Sequence, residues 1–281
     1  MKVQAAAINW RMREVRKEEE YFNHLEDLVT SAHFSGAEII VLPELHVLEL
    51  LALYPEVDER DSPVVLSGYA AQVQDRLKAL SESLNVILVG GSHFVEEADG
   101  VKNVCSIFVP GQEARFAEKN VLTGYERDVW QLKPGAGLVL AIEMLGVCVC
   151  YDCEFPEAVR ALAEAGAKIL AVPAWTETLH GFHRVRWSCL ARAVENQMFV
   201  IHSSLVGGLG REPVPDSYGS SAIIAPSCER FPHEEILIEG APYEEGIVLA
   251  ALDLDALDEC REGGEVANWN DRSKGQWIVR N

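Results

Sequence analysis

Apolar residues along this chain recur at two spacings, and the switches between them divide it into strands and helices. Val3, Ala5, Ala6, Ala7 and Ile8 predict a first strand over residues 2–9. Phe22, Leu25, Val29 and Ala32 recur at helical spacing and predict a helix over 18–33. The run from Ala37 to Leu42 reads as a buried strand that ends in Pro43-Glu44-Leu45. Val73, Leu77, Leu80 and Leu84 mark a second helix, and residues 85–93 another strand. Strands over 103–109 and 114–121 flank Pro110-Gly111, the pattern of a hairpin. Further strands are expected over 138–142, 145–150, 168–172, 198–204, 218–225 and 246–252. Helices are expected after Pro156, over 178–197 (Val185, Cys189, Ala193 and Asn196 on one stripe) and over 255–261, before an acidic, polar tail. Residues 46–66, 122–137 and 207–217 follow neither period and read as loops over the mouth of a site.

Strands and helices alternate from end to end, which argues an α/β layered fold. No linker or internal repeat interrupts the pattern, so residues 1–281 read as a single domain. Hydrophobic residues make up 48% of the chain, which supports a full core and argues against disorder. No apolar run reaches the roughly eighteen residues of a membrane helix. The N-terminal stretch lacks the apolar core of a secretory signal. Lys and Arg number 24 against 44 Asp and Glu, a net charge of −20. Such a surface repels phosphate backbones and anionic membranes, so neither nucleic acid nor membrane is expected as a partner. The seven cysteines are Cys105, Cys148, Cys150, Cys153, Cys189, Cys228 and Cys260. Their odd number, without a secretion signal, predicts reduced thiols in a cytoplasmic protein.

The stretch from Leu145 to Glu157 carries the candidate chemistry. An apolar strand ends in Cys150, a polar turn follows, and Pro156 suits a first helical turn. A thiol at such an elbow lies near the free N–H groups of the turn, as a cysteine nucleophile requires. Glu44 and Lys119 also sit at or near strand ends, where sites form in α/β sheets. A carboxylate can take the thiol proton, an ammonium can stabilise an oxyanion, and a thiolate can attack a carbon bearing nitrogen. Singly, each has a plainer reading: a capping glutamate, a solvated lysine, a core cysteine.

Taken together, these stretches resemble the carbon–nitrogen hydrolase (nitrilase) superfamily over nearly the whole chain. Ala37–Leu45 resembles its strand ending in Pro-Glu, which implies Glu44 as general base. Phe116-Ala117-Glu118-Lys119 with Leu122 resembles its lysine motif. Gly146-Val147-Cys148-Val149-Cys150-Tyr151-Asp152 resembles its nucleophile motif and implies Cys150 rather than Cys148 or Cys153. Tyr125-Glu126-Arg127-Asp128 resembles the segment with a second, substrate-positioning glutamate, Glu126. The helix through Leu190–Gln197 and the late strand at Tyr218–Ser221 have counterparts too. Cys153–Glu157 and Ser227–His233 are similar to a poorly characterised branch, sometimes fused to an acetyltransferase, a fusion not expected here.

The resemblance implies an αββα sandwich, paired as an αββα-αββα homodimer through the helices at Pro156 and Arg192, with no cofactor and no metal. It implies an amidase acting on a small-molecule amide through a thioester on Cys150. Lys119 and the Tyr151 N–H would hold the oxyanion, and Glu44 would then activate water. Nitrile or N-carbamoyl hydrolysis uses the same groups, and an idle binding module is the alternative outside enzymes. Trp175 and Glu154 are further pocket candidates. Many relatives carry Arg where Glu154 stands, which disfavours acidic N-carbamoyl substrates. With Glu49, Glu56, Asp58 and Glu59, it predicts a negative mouth that favours neutral or amine-bearing amides. Cys148-x-Cys150-x-x-Cys153 is a weak metal pattern lacking a convincing fourth ligand. His180 and His183 are expected to be exposed helix residues without a role.

Overall fold

The computed structural model describes residues 1–275 of the 281; the end of the expected polar tail lies outside them. In chain order the elements are β1 (Lys2–Arg11), α1 (Glu18–Phe34), β2 (Ile39–Val41), α2 (Ser62–Ser67), α3 (Ala70–Leu84), β3 (Ile87–Glu97), β4 (Gly100–Phe108), β5 (Arg115–Glu118), α4 (Gly124–Asp128) and β6 (Val139–Ile142). Then follow β7 (Leu145–Val147), α5 (Pro156–Glu164), β8 (Ile169–Trp175), α6 (Leu179–Asn196), β9 (Phe199–Val206), β10 (Ala222–Ile224), β11 (Ile236–Glu239), β12 (Gly246–Asp253), α7 (Leu254–Gly263) and α8 (Asn268–Asp271).

All twelve strands belong to one sheet that folds over itself. The path runs β5-β4-β3-β2-β1-β9-β8-β7-β6, with β12 on β1 and β10-β11 on β9. β1 makes the turn between layers. Residues 2–9 pair with β12 and residues 5–7 with β2, whereas Asn9–Arg11 pair with β9. β1, β2 and β3 are parallel, as are β7, β8 and β9. Each layer is buried on both faces, so its central strands read as near-continuous apolar runs.

Alternation along β1 divides the core. Ala5 and Ala7, with Ile39, Val41 and Val89, join a cluster with Ala171 and Ile201 of the second layer. Ala6, Ile8 and Trp10 face the other way, into a cluster with Phe22, Leu25 and Val29 of α1 and Val73 and Leu77 of α3. Val159 and Leu162 of α5 and Val185, Cys189 and Ala193 of α6 cover the second layer. The result is helices, sheet, sheet, helices: the αββα arrangement.

Three expectations fail here. Residues 46–53 are not a surface loop: they form a buried 3-10 helix, which explains their apolar composition. Residues 226–245 contain β11, and the tail contains α8, both too short to leave a period in the sequence. Not every thiol is free. Cys228 and Cys260 form a disulfide that ties the segment after β10 to α7, while the other five cysteines are buried thiols.

Candidate active site

Glu44 stands just past the end of β2, where two hydrogen bonds hold the backbone on either side of it. Leu42 N–H donates to Val89 O at 2.9 Å, and Leu45, at φ 51°, donates its N–H to Ser92 Oγ at 3.2 Å. Gly91 makes the fit possible. A Cβ there would stand 2.1 Å from Pro43 O, so no other residue lets the Pro-Glu turn lie against β3. Behind it, the buried His46 ring contacts Gly90 O at 3.0 Å and the Tyr21 hydroxyl at 2.8 Å.

Lys119 follows β5, gripped on both sides: its N–H donates to Asn103 O at 2.9 Å and its carbonyl accepts from Gly135 N–H at 2.8 Å. Glu126 lies on α4 and closes a capping box with Thr123, accepting from the Thr123 N–H at 2.9 Å and hydroxyl at 3.0 Å. Cys150 opens a 3-10 turn, Cys150–Glu154, with φ at 45°. Such a conformation costs a non-glycine residue about 1–3 kcal/mol and is often found at functional sites. The Asp152 carboxylate accepts from the N–H groups of Asn120 (2.9 Å) and Val121 (2.8 Å), which ties the nucleophile turn to the lysine segment.

These side chains converge. Lys119 Nζ lies 2.7 Å from Glu44 Oε1 and 2.7 Å from Glu126 Oε2. Asn103 Nδ2 donates to Glu44 Oε1 at 2.9 Å and to Glu126 Oε1 at 3.0 Å. Trp175 N–H donates to Glu44 Oε2 at 3.0 Å, and Cys150 Sγ donates to Trp175 O at 3.5 Å. Glu44, Asn103, Lys119, Glu126 and Cys150 are nearly inaccessible, Cys150 being the most exposed of the five at 4%. Burial, then the Glu44 charge, pushes the Cys150 thiol well up; Lys119 pulls the other way and loses. Burial also raises Glu44, against the pull of Lys119. For Glu126, burial raises and Lys119 lowers, and Lys119 wins. Lys119 stays firmly charged, because the two carboxylates outweigh its desolvation. The arrangement is therefore a neutral thiol beside a carboxylate poised to take its proton, with a permanent cation alongside.

Cys150, Glu44, Lys119 and Glu126 line a cavity of about 590 Å³. Trp175 forms a wall, stacked on Trp130 at 5.8 Å, with its indole N–H donating to Ser217 Oγ at 2.8 Å. Tyr151 and Glu154 also line it.

The same frame occurs in known proteins. The Carbon-nitrogen hydrolase family profile matches residues 3–262. This chain belongs to the carbon–nitrogen hydrolase family. It is 31% identical over 285 residues to the probable hydrolase YhcX of Bacillus subtilis, covering 99% of this chain and 55% of that protein, so it spans about half that relative's length. It is 29% identical over 255 residues to the omega-amidase NIT2 of Danio rerio, covering 84% of each. A carbon–nitrogen hydrolase from Helicobacter pylori G27 superposes with a TM-score of 0.77 at 21% identity, covering 98% of this chain and 99% of that one.

For this family member the structure brings together every residue the motifs singled out, but it moves the entrance. None of Glu49, Glu56, Asp58 and Glu59 lines the cavity. Glu49 is fully buried, accepting from the Trp10 indole at 2.7 Å and contacting His24 at 3.2 Å. Glu59 accepts from the Tyr125 hydroxyl at 2.7 Å. Of the three expected mouth loops, only 122–127 contributes to the lining. The rim carries Arg127 and Arg184 against Glu154 and Glu177, with Arg184 Nε 3.8 Å from Glu154 Oε1, so the expected negative mouth is absent. Cys148 and Cys153 lie in the core, and among the described residues no cluster of three or more His, Cys, Asp or Glu is placed to hold a metal. His180 is exposed, and His183 stacks on the exposed Trp187 at 4.9 Å. Asn103 and Thr123 stand outside the motifs read in the sequence, and Asp152 is read there only as the end of the nucleophile motif. Thr123-x-x-Glu126 was a legible capping signal. Nothing in the pattern marked Asn103 or Asp152 as partners of other segments.

Proposed function

We propose that this chain hydrolyses the carbon–nitrogen bond of a small amide through a thioester on Cys150. The observation that carries the reading is the Glu44–Lys119–Glu126 cluster at 2.7 Å contacts, beside a cysteine held at positive φ on a cavity wall. Glu44 takes the proton from Cys150 Sγ as the sulfur attacks the carbonyl carbon. The Lys119 ammonium has one N–H beyond its two carboxylates to give to the oxyanion. The Tyr151 N–H lies at the start of the Cys150 turn, where amides lack partners within the turn, and supplies a second donor. Collapse of the tetrahedral adduct expels ammonia or an amine, which takes the proton from Glu44. Glu44 then takes a proton from water as it attacks the thioester, releasing the acid and restoring the thiol. Glu126 orients the amide nitrogen.

A cavity of about 590 Å³ has room for substituents well beyond the amide, and its rim offers both signs of charge. The test is ammonia release from a panel of amides, carbamoyl compounds and nitriles. Turnover of at least one amide, absent in Cys150→Ala, is expected. Release from nitriles or carbamoyl compounds alone would contradict the amide assignment, and no release from any of them would favour a binding role. We further infer that two copies pair through α5 and α6, as the family resemblance implies; light scattering showing only a 31.0 kDa particle at micromolar concentration would contradict that.

A further inference from the structure

One buried polar side chain in the cluster has no task in this mechanism. Asn103 stands on β4, 1% exposed, and does not line the cavity. Its Nδ2 reaches Glu44 Oε1 at 2.9 Å and Glu126 Oε1 at 3.0 Å, the same two carboxylates that Lys119 bridges at 2.7 Å each. The four groups form a closed ring of two acids and two donors. The ring is registered through the backbone as well, since Lys119 N–H donates to Asn103 O at 2.9 Å. Asn103 Oδ1 has no hydrogen-bond partner among the described residues. Turning the amide over would aim that oxygen at two carboxylates, so charge fixes its orientation.

Two acids share one ammonium here. The ionisable groups facing the Glu44 carboxylate are Lys119, Glu126 from α4, Cys150 from the nucleophile turn and Cys105 from β4, and Lys119 is the one cation among them. A second cation at position 103 would hold Glu44 too firmly ionised to keep a proton between steps. An apolar residue would leave two buried carboxylate oxygens short of a donor. A primary amide serves both acids and adds no charge. We infer that Asn103 is a positioning residue: it holds Glu44 and Glu126 on either side of Lys119 and, by donating to their ionised forms, sets the pH at which Glu44 can take the Cys150 proton. The inference rests on Glu44 acting as the base in the proposed reaction.

The test uses Asn103→Leu, close in shape and lacking both donors, and Asn103→Ser, which keeps one. Two readouts are followed against pH: kcat and KM for a hydrolysed amide, and the alkylation rate of Cys150 by iodoacetamide, located by peptide mass spectrometry. Donors to a carboxylate favour its charged form, so their loss raises the pH at which Glu44 ionises. The acid limb of both profiles is expected to move up by about one pH unit in Asn103→Leu and by less in Asn103→Ser. kcat should fall while KM stays near the wild-type value, because Asn103 does not line the cavity. Should Asn103→Leu not fold, Asn103→Ser carries the test alone. An unmoved limb in a folded variant, or a loss carried wholly by KM, overturns the inference and leaves the proposed reaction standing. A wild-type Cys150 whose alkylation does not vary with pH overturns both.

Discussion

At the scale of single residues, Lys119 matters to the chemistry more than its two contacts suggest. It is the cation between two buried carboxylates, 2.7 Å from each. Lys119→Met keeps the stem and removes the charge. Turnover should fall about a hundredfold or more through loss of oxyanion stabilisation. Glu44 should become harder to ionise, facing Glu126 without a counter-ion. Stability should drop by about 3–5 kcal/mol, the cost of breaking a buried pair from one side. Single-turnover rates and denaturant melts read the two effects separately, and near-normal turnover would remove Lys119 from the mechanism. Glu44, Lys119, Cys150 and Glu126 could be singled out from sequence because each sits in its own short motif. Asn103 could not, because its partners lie 59 and 23 residues away and no local pattern encodes a contact at that range. Glu49 misled for the opposite reason. A glutamate in a stretch that reads as a surface loop is taken as solvated, yet here it is buried against Trp10 and His24.

At the scale of elements, short pieces of structure place the reactive groups. α4 has only five residues and depends on its Thr123 cap. Thr123→Ala removes an acceptor for the Glu126 N–H and a donor to the Glu126 carboxylate, which also faces Lys119. The variant should lose about 1 kcal/mol of stability, the usual cost of a lost N-cap. kcat should fall more than this loss explains, because Glu126 moves with the cap. Unchanged kcat with lowered stability would leave Thr123 a cap and nothing more. Long elements were readable: α1, α3 and α6 match their expected spans within a few residues, because a buried stripe over four or more turns leaves a clear period. The buried 3-10 helix at 46–53 was not, because His46–Leu53 is buried over most of its length and shows no alternation of faces.

For the whole molecule, the burial of His46 and His93 bears directly on the response to acid. Burial holds His46 down to about 4, and burial with the nearby His46 holds His93 to about 3, against an ordinary 6.5. Between those values and 6.5 the unfolded chain binds the protons and the folded one does not, so stability falls as pH drops through this window. Each group contributes a slope of about 1.4 kcal/mol per pH unit where its two states differ fully. Glu126, held low, acts in the same sense further down, its contribution being lost as pH falls below the ordinary 4.5. Glu44, held high, works against the trend above 4.5, and His24, which burial lowers but its hydrogen bonds to Glu245 and Glu49 raise by more, works against it above 6.5. Urea midpoints from pH 7 to 4.5 should fall steadily, and a flat profile would contradict neutral, buried His46 and His93. The layered α/β class was legible from the alternation of elements. The point where the sheet folds over was not: Asn9 pairs with β12 and with β9 inside one apolar run, and pairing partners carry no signature in the strand that changes them.

The proposed chemistry rests on a covalent intermediate on Cys150. It is tested most directly by mixing the protein with an amide it hydrolyses, quenching in acid within the first turnover, and mapping the peptides by mass spectrometry. An acyl adduct, released by hydroxylamine, is expected on the peptide containing Cys150. None is expected on any other cysteine, and none in Cys150→Ala. Hydrolysis that proceeds in Cys150→Ala, or an adduct confined to Cys153, would contradict it.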